Sequence, residues 1–248
     1  MKLKGKVAIV TGAGRNIGEA VSHTLAREGA AIAVVDLEKD RAESVAAAIN
    51  KAGGKAMAFV TNVADEAQVQ ALIKGTVDAF GRLDIVVNNV AISDNKTIFE
   101  ITKEEWDRVM SVTLSSPFLM GKYAAQQMVA QGGGGNILNV ASTSGWRGRH
   151  RAIAYTSAKG GVINLTRSMA VQLAPHKIRV NSISPNKIGS PVGKADFDPT
   201  RPVVNLAGRS GVPEDMAKAV LFLVSDDSDF VWGENLFLDG GCMAMEIT

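Results

Sequence analysis

The strongest constraint on the fold is a series of short apolar runs that alternate with amphipathic segments along the chain. The runs are rich in β-branched residues and nearly continuous, which is typical of strands covered on both faces. The segments between them, such as EAVSHTLAREG, place apolar residues three and four apart and end at or near glycine, as helices do. The predicted strands are 7–11, 31–36, 55–60, 83–88, 136–140, 177–183 and 234–239.

Seven strands separated by helices predict an α/β fold with a single doubly wound parallel sheet of Rossmann type and helices on both faces. The length of 248 residues fits one domain covering 1–248. The segment 187–206 is rich in proline and glycine, and it predicts a short substrate lid rather than a long helix.

Composition argues against several other classes of protein. The net charge of +2 gives no field typical of a nucleic-acid or membrane-surface partner. Cys242 is the one cysteine, so no disulfide forms within the chain and a reducing compartment is expected. The first apolar run is too short for a signal peptide, which predicts a cytoplasmic protein. No group of histidines, cysteines or carboxylates has metal-site spacing, so no metal is predicted.

The first strand leads into the glycine-rich stretch TGAGRNIG at 11–18, which opens the first helix. Such a turn brings backbone N–H groups close to a dinucleotide pyrophosphate, although a plain tight turn is the alternative. The second strand ends in Asp36, which can accept the ribose hydroxyls of NAD or, alternatively, cap the next helix. Asp36 would repel the 2′-phosphate of NADP by roughly 1–4 kcal/mol at about 4 Å. Arg15 favours NADP, but NAD is the predicted cofactor and NADP the less favoured one.

Tyr155 and Lys159 are four residues apart, so a helix places them on one face. Ser142 ends the fifth predicted strand, where the carboxyl ends of parallel strands line a ligand crevice. A tyrosine acting as a general base near neutral pH needs a pKa about three units below its usual value of about 10. We expect the ammonium of Lys159 to favour the phenolate in this way.

These motifs together resemble the short-chain dehydrogenase/reductase family. The match covers Thr11, Gly12 and Gly18 of the family's TGxxxGxG, the Ser142–Tyr155–Lys159 set, and the stretches NNVA (88–91), SPNKIGS (184–190) and LDGG (238–241). The resemblance implies hydride transfer between a nicotinamide and a small alcohol or ketone, with Tyr155 as general acid/base and Ser142 bonding the substrate oxygen. It also implies a homotetramer, and it gives Lys159 a bond to the nicotinamide ribose. The cofactor-binding residues expected are Gly12, Arg15, Asn16, Ile17, Gly18, Asp36, Leu37, Asn62, Val63, Asn89, Ala91, Tyr155, Lys159, Pro185, Ile188 and Ser190.

The chain departs from the family pattern at several positions. Asn16 and Asn186 stand where the family has glycine, and because Asn tolerates a left-handed backbone we predict φ > 0 at both. Asn62 replaces an acid whose role is to meet the adenine amine. Thr113 replaces an Asn that helps to hold a proton-relaying water in the family, which puts that relay in doubt.

The predicted walls of the substrate site are 92–95, 143–146 and 187–206, which are mostly small and apolar. They favour a hydrophobic secondary alcohol or ketone, with Trp146 either a substrate wall or a core residue. The run WRGRHR (146–151) has two interpretations that stay open. It is either a binding site for an anionic substrate tail or a solvated face or subunit contact. Two other functions stay open, namely an NADPH-dependent 3-oxoacyl reductase and a non-catalytic dinucleotide-binding regulator.

Overall fold

The computed structural model describes residues 1–190, 192 and 202–245. Its centre is a seven-stranded parallel sheet with the strand order β3-β2-β1-β4-β5-β6-β7. The strands are β1 (Val7–Thr11), β2 (Ala31–Asp36), β3 (Lys55–Val60), β4 (Ile85–Asn88), β5 (Gly135–Val140), β6 (Ile178–Pro185) and β7 (Asn235–Leu238). The predicted fold class is confirmed, and the strand bounds differ from the prediction by at most two residues at any end.

Helices connect successive strands and cover both faces of the sheet. They are α1 (Asn16–Arg27), α2 (Lys39–Lys51), α3 (Glu66–Phe80), α4 (Lys103–Met110), α5 (Ser116–Gln131), α6 (Ile153–Leu173) and α7 (Pro213–Val224). A π-helical turn, Ser111–Ser115, joins α4 to α5. Single 3₁₀ turns occupy Thr143–Gly145, Ala174–His176, Asp226–Ser228 and Cys242–Ala244. Among the described helices, none is long and apolar enough to cross a membrane.

The apolar runs are nearly continuous because each strand supplies two separate cores. β1 directs Ala8 and Val10 to the layer that contains α1, α2 and α7, and Ile9 to the layer that contains α3, α5 and α6. These side chains are completely buried. Each aliphatic side chain buried in this way contributes about 1.5–3 kcal/mol, so the alternation fixes the strand register on both faces.

A buried arginine closes the carboxyl end of α7. Arg179, near the start of β6, donates hydrogen bonds to the carbonyl oxygens of Leu223 (3.1 Å), Ser225 (2.8 Å) and Ser228 (2.8 Å). Burial lowers the pKa of this guanidinium from its ordinary value. The Ser225 and Ser228 carbonyls also accept the N–H groups of Ser228 and Val231, so Arg179 adds a charged donor to each and anchors the end of α7 to the sheet.

The chain adds β2 and β3 on one side of β1 and then β4 to β7 on its other side, so the strand order reverses between β1 and β4. In open α/β sheets, ligands bind in the crevice beyond the carboxyl ends of the strands at such a point. The loops after β1, β2, β4, β5 and β6 meet there. Half of the predicted lid over 187–206, residues 191 and 193–201, lies outside the described residues.

Candidate active site

A cleft of about 360 Å³ opens at the reversal point of the strand order. Most of the residues predicted to bind a cofactor line this cleft together. They are Gly12, Arg15, Asn16, Ile17, Asp36, Leu37, Asn62, Val63, Asn89, Ala91 and Ser190.

The glycine-rich turn allows the first helix to lie directly against the first strand. A Cβ at Gly18 would lie 2.1 Å from the carbonyl oxygen of Gly12, so only glycine fits there without a backbone shift. Gly12 has a φ of 62°, a left-handed angle that favours glycine. The Asn89 amide donates to the carbonyl oxygens of Thr11 (3.1 Å) and Gly12 (3.3 Å), which ties the turn to the loop after β4. This open backbone at a helix N-terminus fits a dinucleotide pyrophosphate.

Asp36 sits at the edge of the cleft and orders the turn. One carboxylate oxygen accepts the Gly14 N–H at 2.9 Å, and the other accepts the Glu38 N–H at 3.1 Å. A carboxylate has about four acceptor sites, so two remain for ribose hydroxyls. The capping alternative and the ribose-binding prediction are therefore compatible.

Two arginines that the sequence motifs do not indicate also line the same cleft, Arg41 and Arg108. Arg41 lies against the glycine-rich turn, since its Cβ is 2.6 Å from a Cβ built on Gly14. The position of Arg41 in the sequence could have indicated this location. The helix α2 begins at Lys39, just after Asp36, so its first turn lies at the same edge of the sheet. No local sequence pattern indicates Arg108, because this residue reaches the cleft only through the packing of α4.

Asn16 has a φ of 53°, which confirms the prediction of a left-handed backbone at this replaced glycine. Its side chain donates a hydrogen bond to the Ser190 hydroxyl. The prediction for Asn186 is wrong, because the left-handed residue of that loop is its neighbour Lys187, with a φ of 49°. Asn186 instead donates its amide N–H to the Thr143 hydroxyl at 3.0 Å and so bridges two loops of the site.

The three predicted catalytic side chains do not line the cleft itself, so the predicted cofactor contacts of Tyr155 and Lys159 stay predictions. Tyr155 lies next to the cleft, because it packs in one cluster with Ala91 and Ile92, which do line it. Ser142 follows β5, while Tyr155 and Lys159 lie in α6, and all three side chains are buried. The Lys159 ammonium lies 5.8 Å from the centre of the Tyr155 ring and donates to the Val140 carbonyl. The Ser142 hydroxyl accepts the Ser144 N–H at 3.1 Å.

Loss of hydration dominates the electrostatics of both groups in α6. Burial raises the pKa of Tyr155, and the opposing effects of the Ser142 hydroxyl and the Arg149 charge are smaller. Burial also lowers the pKa of Lys159 to about 7. The lowering of the phenol pKa by Lys159 stays a prediction.

The loop after β4 holds the N-terminus of α6. Ala152, directly before the helix, adopts a left-handed φ of 70°. The Asp94 carboxylate accepts the Tyr155 backbone N–H at 2.9 Å, and the Ala152 N–H donates to the Lys96 carbonyl at 2.9 Å. The other Asp94 oxygen is buried and has no partner among the described residues. Asp94 thus fixes the backbone that carries the candidate general acid/base.

Thr113 lies inside the π-helical turn and is buried. Its hydroxyl donates to the Ile92 carbonyl at 2.9 Å and accepts the Ile92 N–H at 3.1 Å. Thr113 therefore uses its hydroxyl to attach this turn to the loop after β4, which lines the cleft.

Trp146 does not line the cleft, and its predicted role as a substrate-binding residue stays a prediction. Its ring packs against Phe237 with centroids 5.2 Å apart, and its N–H donates to Ser184 at 3.2 Å. The Arg167 guanidinium lies 5.4 Å from the centre of the same ring. Trp146 covers the β6–β7 edge because the turn after Ser142 directs it towards β7.

Two predicted cofactor residues from the β6 loop also lie outside the lining of the cleft. Pro185 ends β6 beside Leu238, and the Ile188 side chain packs in the core and lines a second cavity of about 210 Å³. Only backbone groups of Ile188 remain free for the predicted role. Among the described residues, no group of three or more histidines, cysteines and carboxylates could hold a metal ion.

Known proteins with a similar sequence or structure agree with this geometry. A family model described as enoyl-(acyl carrier protein) reductase matches residues 12–243. A cis-4-hydroxycyclohexanecarboxylate dehydrogenase of Sinomonas cyclohexanicum is 39% identical, with 97% of each chain covered. A 3-oxoacyl-[acyl-carrier-protein] reductase of Thermotoga maritima is 34% identical, covering 97% of this chain and 99% of the relative.

A crystal structure of a short-chain type dehydrogenase/reductase from Mycobacterium marinum superposes with a TM-score of 0.89 at 32% identity, covering 98% of this chain and 97% of that one. Sequence, fold and site residues thus agree over nearly the whole length. The chain belongs to the short-chain dehydrogenase/reductase family and is an oxidoreductase that uses a nicotinamide dinucleotide.

Proposed function

We propose that this protein interconverts a hydrophobic secondary alcohol and its ketone with NAD, using Tyr155 as general acid/base. The observation that supports this most is the buried set of Ser142, Tyr155 and Lys159, whose Tyr155 packs against Ala91 and Ile92 of the cleft that also carries Asp36. The relative from Sinomonas acts, by its name, on a hydroxycyclohexane, a cyclic secondary alcohol. A substrate of that kind fits the small apolar residues Val90, Ala91 and Ile92 along the cleft.

The raised pKa of Tyr155 favours its neutral phenol, the form that donates a proton to a carbonyl oxygen. Ser142 would donate its own hydrogen bond to the same oxygen. Hydride is supplied or accepted by the nicotinamide ring when the dinucleotide is bound. Oxidation of the alcohol requires the phenolate, so we expect its rate to rise with pH, whereas reduction proceeds from the form that dominates near neutral pH.

The preference for NAD rests on Asp36, whose carboxylate lines the cleft and keeps two acceptor sites for ribose hydroxyls. A 2′-phosphate at this place would meet the carboxylate charge. We therefore expect NAD to give the higher kcat/KM.

A second candidate is an NADPH-dependent 3-oxoacyl reductase. Arg15 and Arg41 line the cleft near Asp36 and supply two positive charges that suit a 2′-phosphate. The relative from Thermotoga is a reductase of this class by name. A comparison of NADH with NADPH on one ketone separates the two candidates.

The assembly proposed for this function is a homotetramer of a single domain, 1–248, in the cytoplasm. Large apolar side chains such as Phe99, Phe118 and Phe230 are exposed on the chain, which supports contacts between subunits. The lone cysteine, Cys242, is buried and free, as suits a reducing compartment.

The experiment that tests the function is a panel of secondary alcohols with NAD⁺, followed by absorbance of the reduced cofactor. Tyr155→Phe should abolish turnover while NAD still binds in a titration, because the phenyl ring keeps the packing and loses the proton. Full activity of this variant would contradict the role of Tyr155. A wild-type protein that binds NAD but oxidises no alcohol and reduces no ketone would instead be a dinucleotide-binding regulator.

A further inference from the structure

The position of Ser142 relative to α6 depends on the short turn that follows β5. Ser142 directly precedes the 3₁₀ turn Thr143–Gly145, and both Ser142 and Thr143 are buried. On one side this turn lies directly against α6, since a Cβ built on Gly145 would lie 2.7 Å from the carbonyl carbon of Lys159. The turn that carries Ser142 is therefore packed on the backbone of the helix that carries the other two catalytic candidates.

On its other side the same turn is held by Asn186, from the loop after β6. The Asn186 side-chain amide donates to the Thr143 hydroxyl at 3.0 Å, and the Asn186 backbone N–H donates to the Leu238 carbonyl at 3.2 Å. Among the described residues, the Thr143 hydroxyl has no other hydrogen-bond partner. Asn186 therefore links the turn after Ser142 to β7, a strand of the central sheet.

The direction of the Asn186 amide is fixed by a second contact. The amide also donates to the Cys242 thiol at 3.6 Å, and this thiol accepts the Arg147 guanidinium at 3.2 Å. Arg147 lies in the same β5–α6 loop as Thr143, so the amide and the thiol both attach this loop to the carboxyl end of the sheet. Rotation of the Asn186 side chain would break both of its contacts at once.

We propose that Asn186 is a positioning residue that holds the Ser142 hydroxyl in place for the substrate oxygen, acting through Thr143. This inference rests on the proposed function, in which Ser142 donates to that oxygen. A misplacement of about 1 Å in a catalytic site can lower a rate by about a hundredfold. Because the packing of Gly145 on α6 stays in place, we expect loss of the Asn186 bond to displace Ser142 by less, with a fall of about tenfold in kcat.

The test combines Asn186→Ala with Ser142→Ala and measures kcat with NAD⁺ and the secondary alcohol that the wild type oxidises fastest. Asn186→Ala alone should lower kcat about tenfold at unchanged NAD affinity. In the Ser142→Ala background it should cause no further fall, because the hydroxyl that it positions is absent. An equal fall in both backgrounds, or no fall in either, would overturn the inference.

Urea unfolding without added dinucleotide tests the same contact independently of turnover. Asn186→Ala and Thr143→Val each remove one partner of the hydrogen bond, so their losses of unfolding free energy should be less than additive in the double variant. Additive losses would mean that the two side chains are not coupled, which would also overturn the inference.

Asn50→Ala is the matched control, because the Asn50 amide joins α2 to β3 through both backbone groups of Ala56, at 2.8 and 3.0 Å, near the amino end of β3. It should lower the free energy of unfolding and keep the wild-type kcat. A wild-type rate that Asn186→Ala leaves unchanged would overturn the inference alone. Absence of turnover by the wild type with every alcohol and every ketone would overturn the proposed function and the inference with it.

Discussion

Replacement of the buried catalytic lysine should change how the stability of the protein depends on pH. Lys159 is buried, its one hydrogen bond among the described residues is to the Val140 carbonyl, and burial lowers its pKa to about 7. In the unfolded chain its pKa returns to about 10.5. Between these two values the unfolded chain binds more protons than the folded one, so stability rises with pH across this window.

The size of the effect follows from these two pKa values. Each pH unit of full proton difference corresponds to about 1.4 kcal/mol. At pH 7 about half of the folded molecules carry the Lys159 proton, and at pH 9 almost none do, while the unfolded chain stays protonated. Integration from pH 7 to pH 9 gives a gain of about 2 kcal/mol in the free energy of unfolding. Lys159→Met removes the titrating group and should lose this gain.

The assay is urea unfolding of the protein without added dinucleotide, at several pH values from 7 to 9. The difference in unfolding free energy between wild type and Lys159→Met should change by about 2 kcal/mol in favour of the wild type as the pH rises. Lys51→Met, at an exposed position, is the control and should run parallel to the wild type. Parallel curves for Lys159→Met as well would mean that the ammonium is not desolvated in the folded state.

Substitutions at Asp94, Arg179 and Gly18 test the architecture of the site and of its scaffold, with Thr102→Ala as a control for Asp94. Asp94→Ala removes the acceptor of the Tyr155 backbone N–H, so kcat should fall about tenfold at unchanged NAD affinity, whereas Asp94→Asn should keep most of the rate. Thr102→Ala removes the cap of α4 and should lower the free energy of unfolding by about 1 kcal/mol without lowering kcat. An equal fall of kcat in Asp94→Ala and Thr102→Ala would mean that Asp94 acts only as an ordinary helix cap. Arg179→Met removes the charged hydrogen bonds to the carbonyls of Leu223, Ser225 and Ser228 and should lower the free energy of unfolding by about 3 kcal/mol in a urea titration; a change below about 1 kcal/mol would contradict the anchoring role. Gly18→Ala should abolish NAD binding in a fluorescence titration, because its Cβ would meet the Gly12 carbonyl, and unchanged affinity would contradict the close packing of α1.

The parts of the fold that depend on local periodicity could be predicted from the sequence. The strands and helices follow from runs whose apolar residues serve two cores, and the order of the loops then brings Gly12, Asp36, Asn89 and Ser142 to one edge. The direction of individual side chains could not be predicted in this way. Trp146 turns towards Phe237 because of the path of one short turn, and Arg108 reaches the cleft only through the packing of α4.

The replaced family residues fall at positions where the new side chain has a specific partner. Asn16 keeps the left-handed backbone of a glycine and donates to Ser190, which joins the first loop of the site to the loop after β6. Thr113 uses one hydroxyl to bind both backbone groups of Ile92. A site that had lost its function would have no reason to keep such buried hydrogen bonds between separate loops, since each is stable only while both loops hold their positions. These contacts therefore favour a working site with altered loop connections, and they locate the difference from the family pattern in how the loops are joined rather than in the Ser142–Tyr155–Lys159 set.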